Sequence, residues 1–142
     1  MILTARPATA DTNVVVHSLL ETSKAETATA VLGTCAFLSV QALNEYANVA
    51  RKRLNRNWQK IEDDLAEVRA SVPKIVPIDT DVHVEGLRIA SRYRLSFYDA
   101  LMLAVALSEG ARILYSEDMQ HGMSIDETLR IVNPYTRGII ED

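Results

Sequence analysis

One cysteine, three histidines and five glycines are all that the 142-residue chain holds of three residue types on which much site chemistry depends. The lone Cys35 sits in an apolar run, Cys35-Ala36-Phe37-Leu38, and reads as a buried small hydrophobe in a reducing compartment. One cysteine and three scattered histidines do not supply the ligand spacing of a zinc site. So few glycines leave no glycine-rich loop to cradle a phosphate. No G-x-S-x-G elbow is present, although other Ser-His-Asp arrangements stay open. A basic excess is also missing. With 15 Lys and Arg against 19 Asp and Glu, the net charge is −4, so nucleic acid could be held only by a local patch. No apolar run approaches the roughly 20 residues of a membrane helix. Met1–Pro7 is too short for the core of a signal peptide, so the expectation is a cytoplasmic protein without membrane attachment.

What is present suits one globular domain over residues 1–142, at 48% hydrophobic and 24% charged, with no repeat and no linker. Ala8 to Asp11 reads as a short strand ending on Asp11, and Thr12 and Asn13 turn the chain into a helix that reaches Leu20. Ser23-x-x-Glu26 is expected to open a second helix that Gly33 stops. Thr34–Leu38 reads as a buried strand. Ser39 then caps a helix from Val40 to about Leu54, with Val40, Leu43, Ala47, Ala50 and Leu54 as its main apolar stripe. Glu45 lies off that stripe, beside Ala42 and Val49. Asn57 to about Arg69 is a charge-rich peripheral helix. Lys74–Ile78 is a strand, and Asp79 or Thr80 caps a helix to about Tyr93. Ala111–Tyr115 is a strand ending in Ser116-Glu117-Asp118, and Leu129–Val132 is the last strand. Strands alternating with helices predict an α/β fold with a central parallel sheet flanked by helices.

The chain is organised around Ser96-Phe97-Tyr98-Asp99 and the eight apolar residues that follow, Ala100 to Leu107. A helix that is apolar all round is buried all round. Asp99 in its first turn has two readings, as the acid of a capping box with Ser96 or as a site residue. Other acids occupy comparable places. Asp11 and Asp118 end strands, where ligand sites of open α/β sheets lie, and Glu45 falls in the second turn of a helix that follows a strand. Carboxylates about 4 Å apart repel by about 4 kcal/mol at an effective dielectric of about 20. A hard divalent cation offsets that repulsion. The chemistry best matched to such a set is hydrolysis of a phosphodiester by a water that the cation acidifies.

Four segments together carry a resemblance: Asp11-Thr12-Asn13-Val14-Val15, Asn44-Glu45-Tyr46, Ser96-Phe97-Tyr98-Asp99-Ala100-Leu101 and Leu114-Tyr115-Ser116-Glu117-Asp118. In this order and spacing the chain resembles the PIN-domain nucleases, and among them the VapC-type toxins of toxin–antitoxin pairs. The resemblance implies a PIN-like three-layer fold with its acids at one sheet edge. It also implies an endoribonuclease dependent on Mg²⁺ or Mn²⁺, forming a homodimer and held inactive by a cognate antitoxin. On this resemblance Asp11 and Asp99 are metal ligands, Glu45 ligates directly or through water, and Asp118 holds the metal or orients the attacking water. Asp118, rather than Glu117, takes the motif position. Thr12, Asn13 and Ser116 match polar positions that hydrogen-bond these carboxylates. Arg6-Pro7-Ala8-Thr9-Ala10 departs from the bulky aliphatics usual before the first acid. Two rivals are a non-catalytic PIN-like binding module and a structure-specific DNA nuclease.

The remaining candidates have plainer readings. His17 suits a helix surface or core, and His121 a loop. Arg51, Lys52, Arg53 and Arg56, and likewise Arg88, Arg92 and Arg94, read as solvated faces that could also meet phosphate. Val31–Leu32 and Trp58–Leu65 supply apolar surface for an antitoxin groove.

Overall fold

The computed structural model describes residues 7–136. Residues 1–6, on which the reading of Met1–Pro7 mostly falls, lie outside them. The elements run β1 (Ala8–Ala10), α1 (Thr12–Leu19), α2 (Ala25–Thr34), β2 (Leu38–Ser39), α3 (Val40–Lys52), α4 (Trp58–Ser71), β3 (Ile75–Val76), α5 (Thr80–Tyr93), α6 (Phe97–Ser108), β4 (Ile113–Tyr115), β5 (Ser124–Ile125) and β6 (Leu129–Val132). This is a mixed α/β fold whose sheet is mostly parallel. One ladder has the order β1-β4-β6-β5, and β2 pairs in parallel with β3 beside it. The Ala36 N–H donates to the Ala8 carbonyl at 2.8 Å, tying the chain before β2 to β1.

Helix α6 has the environment its composition demands. Ala100 through Ala106 are all buried, and burial of Leu101, Met102, Leu103 or Val105 stabilises by about 1.5–3 kcal/mol each. Its main helical partner is α5. Gly86 permits that approach, because a Cβ there would meet Leu101 Cδ1 and Phe97 Cε1 at 3.3 Å. Local caps begin the helices where side-chain oxygens are available: Ser39 accepts from the Gln41 N–H, Asn57 from Lys60, Asp79 from Val82 and Ser96 from Asp99. The small residues of β1 do not weaken it as a strand. Ala8, Thr9 and Ala10 are buried, and the Thr9 hydroxyl donates to the Phe37 carbonyl at 2.8 Å.

Several expected boundaries shift. Helix α2 starts at Ala25 after Lys24, with no side-chain cap from Ser23, and Gly33 lies inside its last turn. Of the expected Thr34–Leu38 strand only Leu38 joins a ladder, together with Ser39 beyond it, Cys35 and Phe37 being buried by packing. Helix α3 ends at Lys52, and its buried set is Ala42, Leu43, Tyr46 and Ala50; Leu54 is exposed. The stripe rotates because Tyr46, fully buried, donates its hydroxyl to Asp64 on α4 at 2.6 Å. Strand β5 was not foreseen and pairs antiparallel with β6. The two are joined through Asp126 and Glu127, both left-handed at φ 50° and 57°, with the Thr128 N–H closing the turn on the Ile125 carbonyl. Among the described residues no helix is long and apolar enough to cross a membrane.

Candidate active site

Strand register creates the site. Ala10 pairs with Tyr115, so the next residues, Asp11 and Ser116, leave the sheet side by side although 105 positions separate them. Asp11 is the N-cap of α1. One of its carboxylate oxygens accepts from the Thr12 N–H at 2.7 Å, and the other from the Ser116 hydroxyl at 2.9 Å and the Asn13 amide at 3.4 Å. Ser116 is fully buried and accepts in turn from the Asp118 and Met119 N–H groups. Asn13 also reaches Asp118 Oδ2 at 3.1 Å. Thr12 turns the other way and donates its hydroxyl to Glu45 Oε1 at 3.0 Å.

The structure thus links Asp11 to Glu45 through Thr12, and to Asp118 through Ser116 and Asn13. Asp99 joins them through space, its charge acting on both Asp11 and Glu45. Only half of a capping box exists there. Ser96 accepts from the Asp99 N–H at 3.3 Å, but among the described residues the Asp99 carboxylate makes no return bond to Ser96. As placed, no three His, Cys, Asp or Glu among the described residues stand close enough to hold one ion jointly.

Burial pushes the Asp11 carboxyl up to about 6, against the Thr12 and Ser116 hydrogen bonds, and the Asp99 and Glu45 charges add to the rise. The Glu45 carboxyl is also raised, by burial first and by Asp99, against the Thr12 bond. Every charge acting on these two carboxylates is another carboxylate. The site has anionic oxygens, hydroxyl and amide donors to orient them, and no cation among those influences. Such all-oxygen donors suit a hard divalent cation.

Glu117 belongs elsewhere. It pairs with His17 Nε2 at 2.6 Å and with Lys24, so it is turned to α1 and α2 while its neighbour Asp118 contacts Asn13. His17 is therefore half-buried and hydrogen-bonded to Glu117, and His121 accepts from the Asn133 N–H in a loop. Several of the basic residues are engaged. Arg56 pairs with buried Asp64, Arg88 with Glu85 and Asp126, while Arg51 stacks over Trp58. Val31 and Leu32 are core residues, though Val31 borders an open cavity of about 470 Å³ with Ala30, Tyr115 and Pro134.

Sequence reasoning assigned no role to the residues that extend the site. Beside Glu45 an open cavity of about 380 Å³ is lined by Gln41, Asn44, Asn48, Val49 and Tyr98. The available signal was an aromatic directly before Asp99, together with amides at helical spacing around Glu45. A larger cavity, about 500 Å³, lies beside the C-terminal half of α6 between Lys74, Asp79, Glu85 and Glu109, and it includes none of the four acids.

Comparison with solved structures finds the same fold in a toxin-antitoxin complex from Klebsiella pneumoniae, at 21% identity and a TM-score of 0.67, covering 90% of this chain and 98% of that one. VapC20 of Mycobacterium tuberculosis, a sarcin-ricin loop cleaving toxin, is similar at 17% identity and a TM-score of 0.62, over 75% of this chain and 86% of that one. DNA-bound VapBC from Salmonella typhimurium is similar at 18% identity and a TM-score of 0.62, over 89% and 97%. Comparison with curated protein sequences gives no match. Residues 8–121 match the PIN domain, a span from β1 past Asp118 that takes in all four acids. The chain belongs to the PIN-domain family.

Proposed function

We propose that this protein is an endoribonuclease dependent on Mg²⁺ or Mn²⁺ and the toxin of a toxin–antitoxin pair. The observation that carries the reading is the buried Asp11 carboxylate, oriented by Thr12, Asn13 and Ser116 while the charges that act on it are the carboxylates of Asp99 and Glu45. Toxin–antitoxin proteins among the similar structures, and a sarcin-ricin loop cleaving toxin among them, support it.

Asp11, Glu45, Asp99 and Asp118 are the residues that would hold the cation. Mg²⁺ commonly takes one or two carboxylates and keeps several waters, so the separation of these acids is compatible with it. When bound, the cation acidifies a water and offsets charge on the phosphate. The chain's own residues do the rest. The Thr12 N–H and the Ser116 hydroxyl fix both oxygens of Asp11, and the Thr12 hydroxyl sets Glu45. Asp118, exposed and held by Asn13, faces the open side and orients the attacking water. The product then carries a 5′-phosphate. Antitoxin capture and a homodimer complete the proposal.

The test is cleavage of RNA and DNA side by side in Mn²⁺ and in EDTA, by wild type and by Asp11→Asn. RNA cleavage that needs both the metal and Asp11 supports the reading. DNA cleavage alone would replace it with a DNA nuclease. No cleavage, with Asp11→Asn merely unstable, would leave a binding module.

A further inference from the structure

The cavity beside Glu45 has a chemistry of its own. Gln41, Asn44 and Asn48 lie at spacings of three and four along α3, so they share one helix face. Their side-chain amides make no hydrogen bond to other described residues, and Asn44 and Asn48 are exposed. Across from them stands Tyr98, 59% exposed, at the start of α6. Its ring is braced from one side by Phe97, centroids 5.7 Å apart at 62°, and Phe97 is in turn braced by His83. A single exposed tyrosine on a protein surface is ordinary. A braced, open ring facing three unpartnered amides across about 380 Å³ is not, and that volume falls within the range of small-ligand sites.

We infer that this cavity is a nucleobase subsite, in which Tyr98 stacks a base of single-stranded nucleic acid and Asn44 and Asn48 read its edge. Bases splayed from single strands stack on aromatic rings and are read by hydrogen bonds to their edges. Asn and Gln amides offer the donor and the acceptor that such edges need. Glu45 forms one wall, so the base held here neighbours the linkage presented to the acids. Stacking needs no positive field. That suits a chain of net charge −4 whose Arg56 and Arg88 are spent on internal ion pairs. The subsite rests on the nuclease reading above for its purpose, and it adds a means of choosing where to cut.

The experiment uses octaribonucleotides carrying one 2-aminopurine, whose fluorescence is quenched by stacking, titrated with protein in Ca²⁺. A parallel set measures kcat/KM in Mn²⁺ for four octamers that differ at one base. Wild type and Tyr98→Phe should quench and bind alike. Tyr98→Ala should lose the quenching and bind about tenfold more weakly, within the range of one base–aromatic stack. Asn48→Ala should keep the quenching but flatten the ranking of the four octamers. If Tyr98→Ala quenches and binds as wild type does, or if wild type binds none of the octamers, the subsite is wrong. A drop in molar mass by light scattering for Tyr98→Ala, with RNA binding intact, would make the face a protein contact and also overturn it. The two readings fail separately. Quenching that depends on Tyr98 without cleavage removes the nuclease and keeps the subsite, whereas cleavage indifferent to Tyr98 and Asn48 does the reverse.

Discussion

Among the described residues two aspartates are buried almost completely, and they live under opposite conditions. Asp64 on α4, 2% exposed, accepts from the Tyr46 hydroxyl and the Arg56 guanidinium at 2.6 Å each and pairs with Lys60 at 3.1 Å. Burial pushes its carboxyl up, but Tyr46, Lys60 and Arg56 together outweigh that and leave it below the usual carboxylate value. Asp11, 6% exposed, has hydroxyl, amide and backbone donors but only carboxylates for charged company, and its carboxyl rises to about 6. One buried charge is satisfied by the fold. The other is held in place and left unsatisfied. A carboxylate that folding orients but does not neutralise is a candidate for holding something that arrives later.

The comparison breaks most visibly at Asp64. Asp64→Ala should destabilise by about 3–5 kcal/mol, since it leaves the buried Tyr46 hydroxyl unpaired and takes the carboxylate from the largely buried Arg56 guanidinium. Urea denaturation would read this, and Mn²⁺ binding per folded molecule should not change. Asp11→Asn should behave in the opposite way. RNA cleavage should fall by more than about a hundredfold, beyond the usual cost of losing a supporting partner of a metal ligand. The thermal midpoint should hold or rise, because a destabilised buried charge is gone. A stability loss comparable to that of Asp64→Ala would erase the distinction between the two sites.

Smaller changes sharpen it. Thr12→Val removes the hydroxyl that sets Glu45 and leaves the backbone N–H on Asp11. Calorimetry should find Mn²⁺ affinity about tenfold weaker, the low end of the same range. The smallest effect is acid sensitivity through Asp64. Its folded carboxyl lies below the ordinary 3.8, so the unfolded chain binds the proton more readily. The stability it contributes is present above that value and is lost as pH falls below it. Urea midpoints across this range should drop for wild type and show a shallower dependence in Asp64→Asn.

Helix α6 was legible because nothing local competes: Ser96 caps it, and an unbroken apolar run has one fate in water. The caps at Ser39 and Asp79 were legible for the same local reason. The β5–β6 hairpin was not. Its turn puts Asp126 and Glu127 in left-handed conformations without the glycine that signals such turns, and a tertiary clasp from Arg88 and Tyr93 holds Asp126 instead. The three-residue spread of the acid strand ends was readable, but the choice between Glu117 and Asp118 depended on where His17 and Lys24 fall in space. Arg56 read as a surface charge because its partner, Asp64, looks like any acid in a charge-rich helix.

The pairing of Ala10 with Tyr115 also governs when the site can exist. Asp11, Glu45 and Asp99 are made early, but the Ser116 hydroxyl and the Asn13–Asp118 contact wait for β4 and the turn after it. Contacts of such long sequence separation form late, because the entropy of closing the loop precedes any reward. A chain that ends short of residue 116 carries three of the four acids but neither the hydroxyl that fixes Asp11 nor the Asp118 that Asn13 holds, so Asp11 is oriented only once the last third of the chain is in place.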